Sequence, residues 1–163
     1  MERADNSNLE MLLETDWQLH QVYTGENIFF VIAKLGWLKT LHTLNVLIDE
    51  EIKPWLQQRN KLGDTCIHVA ALANRGKQAI QLIEKLVEYG ANLNTRRNCN
   101  GDTVLDIAVK NKDHELTVWL WKQPSINLQT EKFFHYVMDQ MKLKESQENK
   151  MEILEAYMMQ LFK

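Results

Sequence analysis

Cys66 and His68 stand two residues apart and Cys99 follows further on, so thiol and imidazole ligands for a metal ion are the first chemistry the chain suggests. A structural zinc site takes four well-spaced ligands, and this trio falls short of that set. His114-Glu115 opens like a metal-dependent hydrolase motif, but the second histidine would fall four positions after the first, where Val118 stands. The carboxylates Asp49-Glu50-Glu51 have the acidity for proton transfer, yet no pocket pattern surrounds them and they read as a solvated face. No Gly-rich loop offers backbone N–H groups to a phosphate. The chain is therefore expected not to be an enzyme, with no catalytic residue, no metal site and no cofactor.

The elements that position these side chains show themselves as a repeat. Gly63-Asp64-Thr65-Cys66-Ile67-His68-Val69-Ala70-Ala71 aligns with Gly101-Asp102-Thr103-Val104-Leu105-Asp106-Ile107-Ala108-Val109, 38 residues later. The same step backwards reaches a degenerate copy, Gly25-Glu26-Asn27-Ile28-Phe29-Phe30-Val31-Ile32-Ala33. Each residue type has a backbone task. Glycine permits a positive φ in the opening turn, Thr65 and Thr103 are placed to cap the next helix, and His68 is placed to tie the turn down. Ala70, Ala71 and Ala108 keep the first helix thin enough for close stacking, and Gly90 before Ala91 ends the second helix. Each helical pair leaves an apolar face that only a neighbouring pair covers, so the ends need caps.

The expected architecture is an all-α repeat solenoid forming one domain over residues 1–163. It divides into a helical cap at 1–24, a degenerate repeat at 25–62, repeats at 63–100 and 101–128, and a C-terminal helical cap at 129–163. Leu9, Leu12, Leu13 and Trp17 supply the apolar positions of the first cap. Phe133, Phe134, Val137, Met138 and Met141, then Met151, Leu154, Tyr157, Met158 and Leu161 beyond the charged link 142–150, supply those of the second.

A formal charge of −3, with 19 Lys and Arg mixed among 22 acids, provides no basic field for phosphate backbones, so nucleic acid is not expected as a partner. The polar start and the lack of a long apolar run predict a protein without secretory leader or membrane span. Two cysteines fit free thiols in a reducing compartment.

The segment Gly63 to Ala71 resembles the ankyrin signature Gly-x-Thr-Pro-Leu-His-x-Ala-Ala, and Leu86-Val87-Glu88-Tyr89-Gly90-Ala91-Asn92-Leu93-Asn94 resembles the segment that closes such a repeat. The stretch from Gly90 to Trp121, with its lengthened turn ending Cys99-Asn100-Gly101, is similar to a repeat junction of the cellular I-κB proteins. The whole chain resembles the short I-κB-like ankyrin proteins of the polydnaviruses that parasitoid wasps deliver into insects. Departures are plain: Asp106 and Phe30 occupy the motif's histidine position, its proline is missing, and Pro124-Ser125 replaces Gly-Ala.

The resemblance implies a non-enzymatic inhibitor that binds host Rel/NF-κB factors in the cytoplasm and nucleus of the infected cell. Cellular I-κB proteins are removed through an Asp-Ser-Gly-x-x-Ser segment, and Ser7, Ser125 and Ser146, the only serines, are not followed by glycine. Such an inhibitor would act constitutively. The candidate partner-binding residues are Arg96, Arg97, Asn98 and Asn100 in the lengthened finger, with Lys61, Asp64 and Asp102 flanking the same row of turns. Trp119 and Trp121 are expected to supply at least one core residue. The alternative function is an adaptor or scaffold that forms a homodimer through the Met-rich C-terminal helix.

Overall fold

The computed structural model describes residues 14–47 and 52–127, together with positions 7, 10–12, 135, 136 and 139. Among the described residues every regular element is helical. In chain order these are α1 (Trp17–Thr24), α2 (Ile28–Leu35), α3 (Leu38–Leu47), α4 (Lys53–Gln57), α5 (Cys66–Ala73), α6 (Gly76–Glu88), α7 (Val104–Lys110) and α8 (His114–Trp121).

The helices pair as α2 with α3, α5 with α6 and α7 with α8, and the pairs stack in two rows. The first helices form an inner row in which α2 packs on α5 and α5 on α7. The second helices form an outer row, α3 against α6 and α6 against α8. Composition explains this assignment. The inner helix α2, IFFVIAKL, is apolar almost all round and buries Ile28, Phe29, Phe30, Ile32 and Ala33, as a helix with neighbours on several sides must. In α5 the small Ala70 and Ala71 are fully enclosed, which keeps that helix narrow between its bulkier neighbours. The outer helix α6 instead carries one apolar stripe, Ala79, Leu82, Ile83 and Leu86, at the three-and-four spacing of a helix with a single buried face. It runs 13 residues where α8 runs 8.

One core runs through the stack from Leu12 and Ile28 to Trp121 and Ile126. Leu12 is fully buried. Leu9 and Leu13 lie outside the described residues, as do Phe133, Phe134, Val137, Met138, Met141, the link 142–150 and the stripe Met151 to Leu161. Trp121 is core and Trp119 is half-buried against it.

Two asparagines at matching places tie inner helices together at their ends. Asn74 Nδ2 donates to the Ala33 carbonyl at 2.8 Å and to Ala70 at 3.0 Å, and Asn111 Nδ2 donates to Ala71 at 3.3 Å. The last carbonyls of a helix have no partner within it, and these amides satisfy them from the following repeat.

Candidate functional site

The loops entering α2, α5 and α7 form a row of turns along one edge. In the second, the Asn60 N–H donates to the Asp64 carbonyl at 2.9 Å and the Gly63 N–H to Asn60 at 2.9 Å. In the third, Arg97 donates to the Asp102 carbonyl at 2.8 Å and Gly101 to Arg97 at 3.0 Å. Single backbone bonds join the turns sideways, Lys61 N–H to the Thr24 carbonyl at 3.0 Å and Asn98 N–H to the Gly63 carbonyl at 3.3 Å. Gly63, at φ +77, sits where a Cβ would come within 2.3 Å of the Asn98 Cβ. The position needs glycine both for its left-handed backbone and for the close approach of the next finger.

Side chains lock each turn to its helix. Asn60 Oδ1 accepts from the Leu62 and Asp64 N–H groups, both at 3.0 Å, and its Nδ2 donates to Glu26 at 3.1 Å. His68 is fully buried. Its Nδ1 accepts from the Thr65 N–H at 3.1 Å, which places the ring proton on Nε2, and Nε2 donates to the Thr95 carbonyl at 2.8 Å. Desolvation holds this imidazole below the usual histidine pKa, against the opposing pull of the Thr95 carbonyl and the Asp64 charge. One ring thus fastens its own turn and the following finger.

In the third repeat Asp106 does the first of these jobs. Its Oδ2 accepts from the Thr103 N–H at 2.8 Å and the Thr103 hydroxyl at 2.9 Å. Its Oδ1 is buried and, among the described residues, has no hydrogen-bond partner.

The residues expected to face a partner divide into two groups. Arg96, Asn98, Asn100 and Lys61 are exposed. Asp64 and Asp102 are buried, at 2 % and 1 % exposure, and Arg97 turns inward. The Arg97 guanidinium grips Asp64 with two bonds, Nε to Oδ1 at 2.5 Å and a terminal nitrogen to Oδ2 at 2.9 Å. That contact pushes its pKa above the ordinary arginine value. Asp102 accepts from Lys110 Nζ and from Asn100 Nδ2, the latter at 2.6 Å. The Asp that follows glycine sits at the base of the finger, where an unpaired charge would be costly, so each recruits a cation.

Arg59 is a contributor that the sequence reading did not single out. It is exposed, and one terminal nitrogen donates to the Gly63 carbonyl at 2.6 Å and to the Arg96 carbonyl at 2.8 Å, bridging two fingers. Arg96 in turn donates to the Gly101 carbonyl at 2.9 Å. The available signal was the repeat register, in which Arg59 stands 38 residues before Arg97.

The side chains first considered for metal or catalysis have other surroundings. Cys66 is buried against the Leu56 carbonyl and its thiol is pushed up to about 12 by burial, while Cys99 is exposed. His114 Nδ1 meets the Tyr136 hydroxyl at 3.0 Å. Among the described residues no three His, Cys, Asp or Glu side chains converge as metal ligands, and no helix is long and apolar enough to cross a membrane. The C-terminal helix proposed for homodimer formation lies outside the described residues.

Comparison with known proteins adds an independent line. The family described as "Ankyrin repeats (3 copies)" matches residues 39–131. The "I-kappa-B like protein N2" of Microplitis demolitor bracovirus (isolate Webb) is 50% identical over 160 residues, covering 96% of this chain and 87% of the relative. From the same virus, "I-Kappa-B like protein J1" is 53% identical over 76 residues, 46% of this chain and 60% of the relative. "I-Kappa-B like protein N1" is 37% identical over 110 residues, 67% of this chain and 79% of the relative.

Proposed function

Because the chain belongs to the ankyrin-repeat family, and within it to the I-κB-like proteins of bracoviruses, we propose that it is an inhibitor of host Rel/NF-κB transcription factors. Ankyrin-repeat proteins of this kind are non-enzymatic and work by binding other proteins. The observation that carries the narrower reading is 50% identity, across nearly the whole chain, to a relative named I-κB-like.

The fingers suit such a task physically. Backbone bonds between successive turns, the His68 link and the Arg59 bridge hold their conformation before any partner arrives. Binding to a surface that is already ordered loses less conformational entropy, leaving more of the contact energy as affinity. Occupying a Rel factor through this face would keep it from DNA or from the nucleus. The inhibition would not be relieved by phosphorylation at an Asp-Ser-Gly-x-x-Ser segment, since none of the three serines lies in one. Its place of action would be the cytoplasm and nucleus of the infected insect cell.

The test is a titration of the purified chain against an insect Rel-homology dimer, with a cellular I-κB protein as the positive control. Saturable binding that competes with the control supports the reading. A flat titration where the control binds overturns it.

A further inference from the structure

Sequence charge alone makes this protein slightly acidic, at −3, but the fold separates the signs. Along the second and third fingers and the inner helices that follow them, the aspartates Asp64, Asp102 and Asp106 are all buried. The exposed carboxylates Glu84, Glu88 and Glu115 lie on the outer helices α6 and α8. Glu26, beside the row, is half-buried and accepts from Asn60. The exposed charges of the two fingers are instead cationic: Arg59, Lys61 and Arg96.

The two arginines are also fixed in place. Arg59 and Arg96 each anchor one terminal nitrogen on finger carbonyls, and Arg59 reaches the carbonyl of Arg96 itself. Among the described residues neither has a carboxylate partner. A guanidinium held by one nitrogen still presents its remaining N–H groups, and that fork matches a carboxylate in two parallel bonds. Carbonyl oxygens orient the groups without neutralising them. Leu62, in the turn of the second finger, has 68% of its surface exposed.

We infer that the second and third fingers form a receptor for an acidic segment of a partner protein, with Arg59 and Arg96 taking carboxylates, Lys61 adding attraction and Leu62 meeting an apolar residue among the acids. The inference rests on the reading that the finger row is the partner-facing side, and it adds the chemistry of what is bound there. A nucleic acid fits less well. Three exposed cations on a chain of net negative charge give a shallow phosphate track, and Leu62 has no counterpart on a phosphate backbone.

The test uses the full chain and a fluorescent peptide of about 12 residues, alternating Glu and Ser around a central Leu, beside its Glu-to-Gln counterpart and an oligo-dT of similar length. The acidic peptide is expected to bind best and to weaken on going from ~50 to ~300 mM NaCl, since exposed pairs are screened. Arg59→Gln with Arg96→Gln should weaken it roughly tenfold, as charge-assisted bidentate pairs are lost. Because Arg59 also bridges the fingers, Lys61→Glu is the companion variant: among the described residues no side-chain bond of Lys61 holds the fold, so its thermal melt should be unchanged while acidic-peptide binding drops. Equal binding of the acidic and Gln peptides, tighter binding of oligo-dT, or full acidic-peptide binding by Lys61→Glu would each overturn the inference. Failure of the Rel titration removes the Rel reading alone and leaves this peptide comparison to be decided on its own result.

Discussion

Replacing either partner of the Arg97–Asp64 pair should destabilise the fold unequally, and the structure sets the size of the difference. Among the described residues the two Asp64 oxygens accept only from Arg97, and the residue is 2 % exposed. Arg97→Met keeps much of the stem's packing but leaves that carboxylate buried and alone. Removing one member of a buried pair generally costs about 3–5 kcal/mol. The loss for Arg97→Met should therefore be about 3–5 kcal/mol. Asp64→Asn retains an acceptor of the same shape and leaves Arg97, whose side chain is 16% exposed, able to reach water. Its cost should be about 1–2 kcal/mol, that of a weakened hydrogen bond. Urea denaturation followed by far-UV circular dichroism measures both losses. An Asp64→Asn variant as unstable as Arg97→Met would refute the reasoning.

Gly63→Ala should cost about 2–4 kcal/mol and Gly101→Ala about 1–2 kcal/mol, because both have positive φ but only the first would force its Cβ against Asn98, as melting temperatures of the two variants will show. Asn74→Ala, which removes bonds at 2.8 and 3.0 Å to two inner helices, should lose about 1–2 kcal/mol, and Asn111→Ala, with one bond at 3.3 Å, should lose less in the same denaturation assay. His68 has a folded pKa below its unfolded value, so its contribution is complete above about pH 6.5 and is lost as the pH falls towards the folded pKa, by at most about 1.4 kcal/mol per unit. His68→Gln should flatten stability against pH below that point, and parallel wild-type and variant curves would contradict the assignment.

The repeat was legible because its signals are local. Gly63, Thr65 and His68 act within one turn, and the same spacing recurs at Gly101, Thr103 and Asp106. Helical pairs, their apolar faces and their stacking follow from such short-range patterns. The interactions that define the finger surface are of another kind. Arg97 finds Asp64 33 positions away, Arg59 finds the Arg96 carbonyl 37 positions away, and Asn74 finds Ala33 41 positions away. In the sequence, Arg96 and Arg97 are equivalent neighbours in a polar run, and both suit a partner-facing surface. Packing one repeat on the next makes them different, burying one beside a carboxylate and leaving the other outside.

A periodic chain thus announces which units it is made of, since helix caps, turns and apolar stripes depend on residues a few places apart. Which charges remain available to a partner was decided only when neighbouring fingers came into contact. Burial at the finger bases made the aspartates costly to leave unpaired; Arg97 was drawn inward to Asp64, while Lys110 reaches Asp102 from the surface. The arginines left outside, held by carbonyl oxygens, keep their charge unneutralised at the surface.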